Sequence, residues 1–125
     1  MIAAPFLALG LALAFTPEPA PAELPMDVGP EASDRFEDYA MCLAERAYAR
    51  RSDRRSPALL AAEVRSDCAS RKARAAEALA AAYRRDPALL RPGQDPEARA
   101  AELLGSWDVR IEWVFAQARR SRDEE

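Results

Sequence analysis

Residues 39–83 read YAMCLAERAYARRSDRRSPALLAAEVRSDCASRKARAAEALAAAY and contain both cysteines of the chain, Cys42 and Cys68. The two cysteines are equally distant from position 55, which lies in a polar run of serine, aspartate and arginine. If helices on either side fold back at this run, equal rise along the two helices brings the cysteines to the same level. The spacing therefore predicts a helical hairpin closed by a Cys42–Cys68 disulfide. The alternative is a pair of buried free thiols that fill small gaps in the core.

Cap signals set the limits of the two hairpin helices. Asp34 with Glu37 three residues later matches a capping box, which predicts a first helix over about residues 34–52. Ser56–Pro57 places a cap residue before a proline at the first helical position. No glycine or proline follows until Pro87, so a second helix is predicted over about 57–85. Apolar residues recur at helical spacing in both segments.

A third helix is predicted over about 96–120, because Asp95–Pro96 repeats the signal of a cap followed by proline. A break at Gly105, with Ser106 capping a new segment, is the alternative. The charged residues 121–125 are predicted to form a fraying tail. No segment shows the alternation of a strand, so the fold class predicted is all-α, a small three-helix bundle built on the stapled antiparallel hairpin.

The N-terminus is predicted to be a signal peptide. Residues 2–15 are apolar and uncharged, and Ala20 and Ala22 offer the small residues that a signal peptidase requires, so cleavage is expected after Ala22. Cleavage after Ala14 and an uncleaved anchor are the alternatives. Fourteen helical residues span only about 21 Å, which is short for a hydrocarbon core of about 30 Å. Residues 23–33, with two prolines and several acids, are predicted to form a flexible acidic arm.

The residue types exclude most catalytic chemistry. The chain has no histidine, and its four glycines are too scattered to form a phosphate-binding loop. The two cysteines do not have the spacing of a zinc or CxxC redox site. The net charge of −3 argues against a nucleic-acid binder. We therefore expect no enzyme activity, no catalytic residue, no cofactor and no metal.

A basic group surrounds the predicted hairpin turn and is a candidate anion contact. It consists of Arg46, Arg50, Arg51, Arg54 and Arg55. An acidic protein or an anionic lipid headgroup could bind there. The alternative is a solvated helix end, where cations are favourable near the helix C-terminus.

A small apolar group on the third helix is a candidate partner contact. Val109, Trp113 and Ala116 lie on the face opposite the main apolar stripe of this helix. A tryptophan there would be exposed in an isolated three-helix bundle, and exposed aromatic residues are typical of protein interfaces.

Together these features predict a small exported helical protein, periplasmic or secreted, with no transmembrane span after cleavage. The function expected is a non-catalytic interaction module that contacts a protein partner or a second copy of itself. The alternative function is an envelope-surface binder that holds anionic lipid or polysaccharide through the arginine-rich turn.

Overall fold

A computed structural model describes residues 28–123, which form α-helices and one short 3-10 helix and contain no strand. The helices are α1 (Pro30–Ala49), α2 (Pro57–Asp67), α3 (Ala69–Arg85) and α4 (Pro96–Asp123), and the 3-10 helix is Pro87–Leu89. The predicted all-α class is confirmed. The predicted signal peptide (1–22), the first five residues of the acidic arm (23–27) and the end of the tail (124–125) lie outside the described residues.

Helix α1 begins earlier and ends earlier than the sequence predicts. Its N-cap is Gly29, whose positive φ of 90° suits a residue without a side chain, and Pro30 takes the first helical position. The predicted capping box at Asp34 therefore lies inside the helix rather than at its start. Val28 is only 3% exposed, and residues 30–33 form the first turn of α1. Residues 28–33 therefore do not belong to a flexible arm.

The predicted second helix is two helices, α2 and α3, separated by the single residue Cys68. No glycine or proline, the usual helix breakers, lies at this point. The chain continues to hydrogen bond across it, since Cys68 N donates to Val64 O at 3.1 Å and Lys72 N donates to Cys68 O at 2.9 Å. Cys68 is fully buried, and its sulfur lies 2.15 Å from that of Cys42. The break thus lies at the residue that joins α2 and α3 to α1.

Two of the predicted helix starts have the expected caps. The Ser56 hydroxyl accepts a hydrogen bond from Leu59 N at 3.2 Å, and the Asp95 carboxylate accepts one from Ala98 N at 2.9 Å. Helix α4 then continues through Gly105 without a break as far as Asp123. The long third helix is therefore the correct alternative, and residues 121–123 of the predicted tail belong to its last turn.

The core lies where α3 packs between α1 and α4. Its largest fully buried side chains, each under 2% exposed, are those of Tyr39, Leu43, Leu60, Val64, Leu79, Tyr83, Leu103 and Leu104. Trp107 packs against this cluster, and its ring meets that of Phe36 edge-on at 5.4 Å between centroids. Leu89 and Leu90, after α3, cover the core from one end.

Asp108 joins all four helices through polar contacts. Its carboxylate accepts hydrogen bonds from the Tyr39 hydroxyl on α1 and from the Lys72 ammonium on α3. Its backbone carbonyl accepts from Arg65 Nη2 on α2 at 3.0 Å. Burial, together with the neighbouring Asp108 carboxylate, raises the pKa of the Tyr39 phenol. The hydroxyl therefore stays protonated and keeps its role as donor.

Helices α1 and α4 run parallel to each other. Phe36 meets Trp107 near the start of this pairing, and Arg122 Nη1 donates to Arg51 O at 2.7 Å at its end. Because α3 and α2 lie across both helices, α1 and α4 pack mainly on those two helices and contact each other less. Their C-terminal halves consequently leave an open cleft.

Candidate functional site

Arg50 and Arg55, two of the five arginines predicted to contact an anion, are paired within the protein. Arg50 Nε lies 3.1 Å from Glu63 Oε2, and its Nη2 lies 2.6 Å from Asp67 Oδ2. Arg55 Nη1 lies 2.6 Å from Glu63 Oε1, and its Nη2 lies 2.8 Å from Asp53 Oδ2. These pairs join the α1–α2 turn to α2, so both arginines have a structural role that competes with an external anion.

The ion pairs lower the pKa of two carboxylates at the turn, those of Asp53 and Glu63. Hydrogen bonds from the Arg55 guanidinium and backbone lower the pKa of Asp53 to about 2. Hydrogen bonds from Arg55 and then Arg50 likewise lower the pKa of Glu63. Hydrogen bonds to Asp67 and then Glu63 raise the pKa of Arg50, and those to Asp53 and then Glu63 raise the pKa of Arg55. At neutral pH the two carboxylates and the two guanidinium groups are therefore all charged, and their positive and negative charges balance.

A different set of arginines faces outward, and we call it the guanidinium cluster. It comprises Arg51 and Arg54 from the turn and Arg119 and Arg122 from the last turn of α4. Arg119 Nη2 donates to Arg54 O at 2.7 Å and also to Arg55 O, and Arg122 Nη1 donates to Arg51 O. These bonds are to carbonyls of the α1–α2 turn, so they join the end of α4 to that turn.

The guanidinium cluster is not neutralised within residues 28–123. None of its four members forms an ion pair with a carboxylate in that part of the chain. Asp123 is the one acid that lines the depression formed by Arg54, Arg119 and Arg122. An arginine has five N–H donors, so the one or two used on carbonyls leave others free for a ligand. The fifth predicted residue, Arg46, is exposed one helical turn before this cluster.

An apolar cleft between α1 and α4, which we call the α1/α4 groove, opens beside this cluster. Its volume is about 420 Å³. It is lined by Ala40, Leu43, Ala44, Ala47, Tyr48, Arg51, Trp107, Arg110, Ile111, Val114, Phe115 and Ala118. Ten of these twelve residues are apolar or aromatic, and the two arginines lie toward opposite ends of the cleft.

The groove exists because one of its walls is made of small side chains. Ala40, Ala44 and Ala47 recur at helical spacing on α1 and leave space that larger residues would fill. Leu43 on α1 and Ile111 and Phe115 on α4 are buried and form its base. The groove extends along residues 107–118 of α4, eleven steps of the helix that correspond to about 16 Å at the helical rise.

Sequence reasoning missed both the α1/α4 groove and half of the guanidinium cluster. The alanines that line the groove were interpreted only as part of the packed face of α1. Arg119 and Arg122 were assigned to the end of a helix and a fraying tail. The one available signal was the run of three arginines at 119, 120 and 122, after an amphipathic helix.

The predicted partner contact on α4 lies apart from the groove. Val109 is 59% exposed, and Trp113 and Ala116 are half-buried. Trp113 is not among the residues that pack on the buried core, whereas Trp107 is. With the Gln117 amide oriented to satisfy its neighbours, Trp113 Nε1 donates to its oxygen at 3.2 Å. A role for this face in binding stays a prediction.

Within residues 28–123, no three or more of the histidine, cysteine, aspartate and glutamate residues are grouped so that they could hold a metal ion. None of the helices in this part of the chain has the length and apolar composition needed to cross a membrane.

The chain was also compared with known proteins. It matches no protein-family model, no curated protein and no solved structure at a significant level.

Proposed function

We propose that this protein is a non-catalytic binding module of the periplasm or the extracellular space, and that the α1/α4 groove holds the apolar part of a small ligand. The observation that carries the proposal is the groove itself, a cleft of about 420 Å³ with almost wholly apolar walls. Ligand sites in proteins are typically clefts of about 300–1,000 Å³ with apolar linings and few polar groups.

The exposure of apolar side chains at the groove supports a binding role. Tyr48 and Val114 line it and are 66% and 36% exposed. Most apolar residues of such size are buried elsewhere in residues 28–123. A ligand that covers Tyr48 and Val114 removes apolar area from water, which contributes roughly 25 cal/mol per Å².

The location is proposed from two sequence features. The apolar run at 2–15 with small residues at 20 and 22 is typical of a signal peptide. The sulfur atoms of Cys42 and Cys68 lie at bonding distance, and disulfides persist mainly outside the cytosol.

A neutral apolar dye tests the groove without involving its charges. We expect N-phenylnaphthylamine to bind the full chain with one-to-one saturation, measured by dye fluorescence. Ala44→Phe fills the groove from its α1 wall and should weaken binding at least tenfold, or about 1.4 kcal/mol. Ala73→Phe is the matched control, because Ala73 is exposed on α3 and does not line the groove.

Two results would overturn the proposal. The first is the absence of saturable dye binding to the folded protein. The second is equal weakening by the two phenylalanine variants. Concentration-dependent dimerisation lost in Ala44→Phe would instead assign the groove to a second copy of the chain, which sedimentation velocity distinguishes.

A further inference from the structure

The α1/α4 groove and the guanidinium cluster form one continuous surface with an apolar part and a cationic part. Arg51 belongs to both, since it lines the groove and its carbonyl accepts from Arg122. Its guanidinium lies over the Tyr48 ring, with Cζ 4.0 Å from the ring centroid. The contact between a cation and an aromatic face holds Arg51 at the mouth of the groove.

We infer that the ligand is an anionic single-chain amphiphile, whose chain lies along the groove and whose carboxylate or phosphate head binds the guanidinium cluster. This inference rests on the proposed function of the groove and specifies the chemical class of its ligand. Arginine is suited to the head because its planar fork of donors matches the geometry of carboxylate and phosphate.

The charge balance at this end of the groove favours an anion. Among residues 28–123, four arginines stand against Asp123, while the carboxylates of Asp53, Glu63 and Asp67 are engaged by Arg50 and Arg55. Anions are therefore attracted to this surface although the whole chain carries a net charge of −3. The glutamates at 124 and 125 lie outside the described residues.

The size of the groove favours a single chain over a peptide helix. A peptide helix is about 10 Å wide with its side chains, which is too wide to be enclosed in a groove of about 420 Å³ between two helices. Most of such a helix would lie outside the cleft. A single hydrocarbon chain can lie along the groove with most of its surface covered.

A second guanidinium lies at the other end of the groove. Arg110 is half-buried, and its Cζ lies 5.8 Å from the centre of the Trp107 ring. It provides one charge beside an aromatic ring, whereas the guanidinium cluster provides four. The orientation of the amphiphile is therefore tested by comparing variants at the two ends.

Three probes with the same chain separate the contributions of chain and head. Dodecanoate, monododecanoylglycerol and dodecyltrimethylammonium are titrated below their micelle concentrations into the full chain by calorimetry. We expect dodecanoate to bind at least tenfold more tightly than the neutral ester, and the cationic probe to bind most weakly. The preference for dodecanoate should decrease as salt screens the cluster.

The double variant Arg54→Gln/Arg122→Gln should lower dodecanoate affinity to that of the neutral ester and leave the ester unchanged. Arg91→Gln is the control. It removes one positive charge from an exposed position, in the loop at the other end of the molecule. Circular dichroism should show that the variants stay folded, because the side chains changed are on the surface.

The possible outcomes distinguish the inference from the proposed function. Equal affinity for the three probes, or a loss of dodecanoate binding in Arg110→Gln but not in the double variant, overturns the inference and leaves the groove as a binding site. Dye binding without binding of any of the three amphiphiles likewise overturns the inference and leaves the groove as a binding site. Absence of dye binding overturns both. Co-sedimentation with anionic phospholipid vesicles that is unchanged in Ala44→Phe would assign the cluster to a membrane surface and overturn the inference.

Discussion

The two ends of this molecule differ in how completely their side chains are covered. At the closed end, which we define as residues 28–39, 75–85 and 96–108, α3 packs between α1 and α4 and buries Tyr39, Leu79, Tyr83 and Leu103 completely. At the open end, residues 40–60 and 109–123, α1 and α4 leave the groove between them. Among residues 28–123, the large apolar residues exposed by more than about a third all lie there: Met41, Tyr48, Leu59, Val109 and Val114.

The difference teaches that the best-packed core and the proposed binding surface lie in separate parts of this small chain. The core is concentrated where three helices meet. The open end keeps apolar and cationic groups at the surface, and the Cys42–Cys68 pair joins its α1 segment to the junction of α2 and α3. Substitutions of the exposed residues at the open end are therefore expected to have little effect on folding.

Removing the cross-link should have the largest effect on stability. Cys42→Ala/Cys68→Ala releases a loop with a sequence separation of 26 residues, and the chain-entropy relation gives a loss of about 3.5 kcal/mol. Urea denaturation of the variant and of the oxidised protein measures the difference. Alkylation of the intact protein before reduction serves as the control, and two freely reactive thiols would contradict the prediction.

The same substitution at the two ends should produce very different losses of stability. Leu79→Ala at the closed end should lower the free energy of unfolding by about 3 kcal/mol, because Leu79 is fully buried and a cavity remains. Leu59→Ala at the open end should cost less than about 1 kcal/mol, because Leu59 is already 46% exposed. Similar losses in urea denaturation would show that the two ends are equally packed.

The smallest expected effect concerns the pH response of the turn at the open end. Arg55 holds the pKa of Asp53 at about 2, below its ordinary value of 3.8. Because the pKa is lowered in the folded state, the ion pair stabilises the turn above pH 3.8 and loses this contribution as the pH falls through about 2. Carboxyl NMR titration should show this pKa, and Arg55→Gln should return it toward the ordinary value.

The comparison variant Arg91→Gln should leave the Asp53 titration unchanged. If Asp53 titrates normally in the unmodified protein, then Arg55 is not held by Asp53 in solution and is paired with Glu63 alone. That outcome would contradict the prediction and weaken the distinction between paired and outward-facing arginines.

Local chemistry explains what the sequence predicted correctly. Ser56 and Asp95 cap helices because their side-chain oxygens are beside backbone N–H groups that have no helical partner. The symmetric placement of Cys42 and Cys68 predicts their contact, because the rise per residue is equal along the two helices. In each case residues close in sequence, or a single spacing, contain the needed information.

The features that were missed depend on contacts between distant segments. The break at Cys68 has no local breaker, and it lies where the chain is joined to α1. The α1/α4 groove depends on how α2 and α3 hold two other helices apart, which no single helical stripe encodes. The start of α1 at Gly29–Pro30 was a local signal, but the competing box at Asp34 was preferred.

The contacts that Arg119 and Arg122 make with the α1–α2 turn have a consequence for the order of assembly. They join residues 64 to 71 positions apart, so the chain must be synthesised through the last turn of α4 before they can form. The hairpin of α1, α2 and α3 contains both cysteines and can associate earlier, since domains form from the N-terminal side during synthesis. The open end is consequently the last part of the molecule to be completed, and a nascent chain lacks the proposed ligand site.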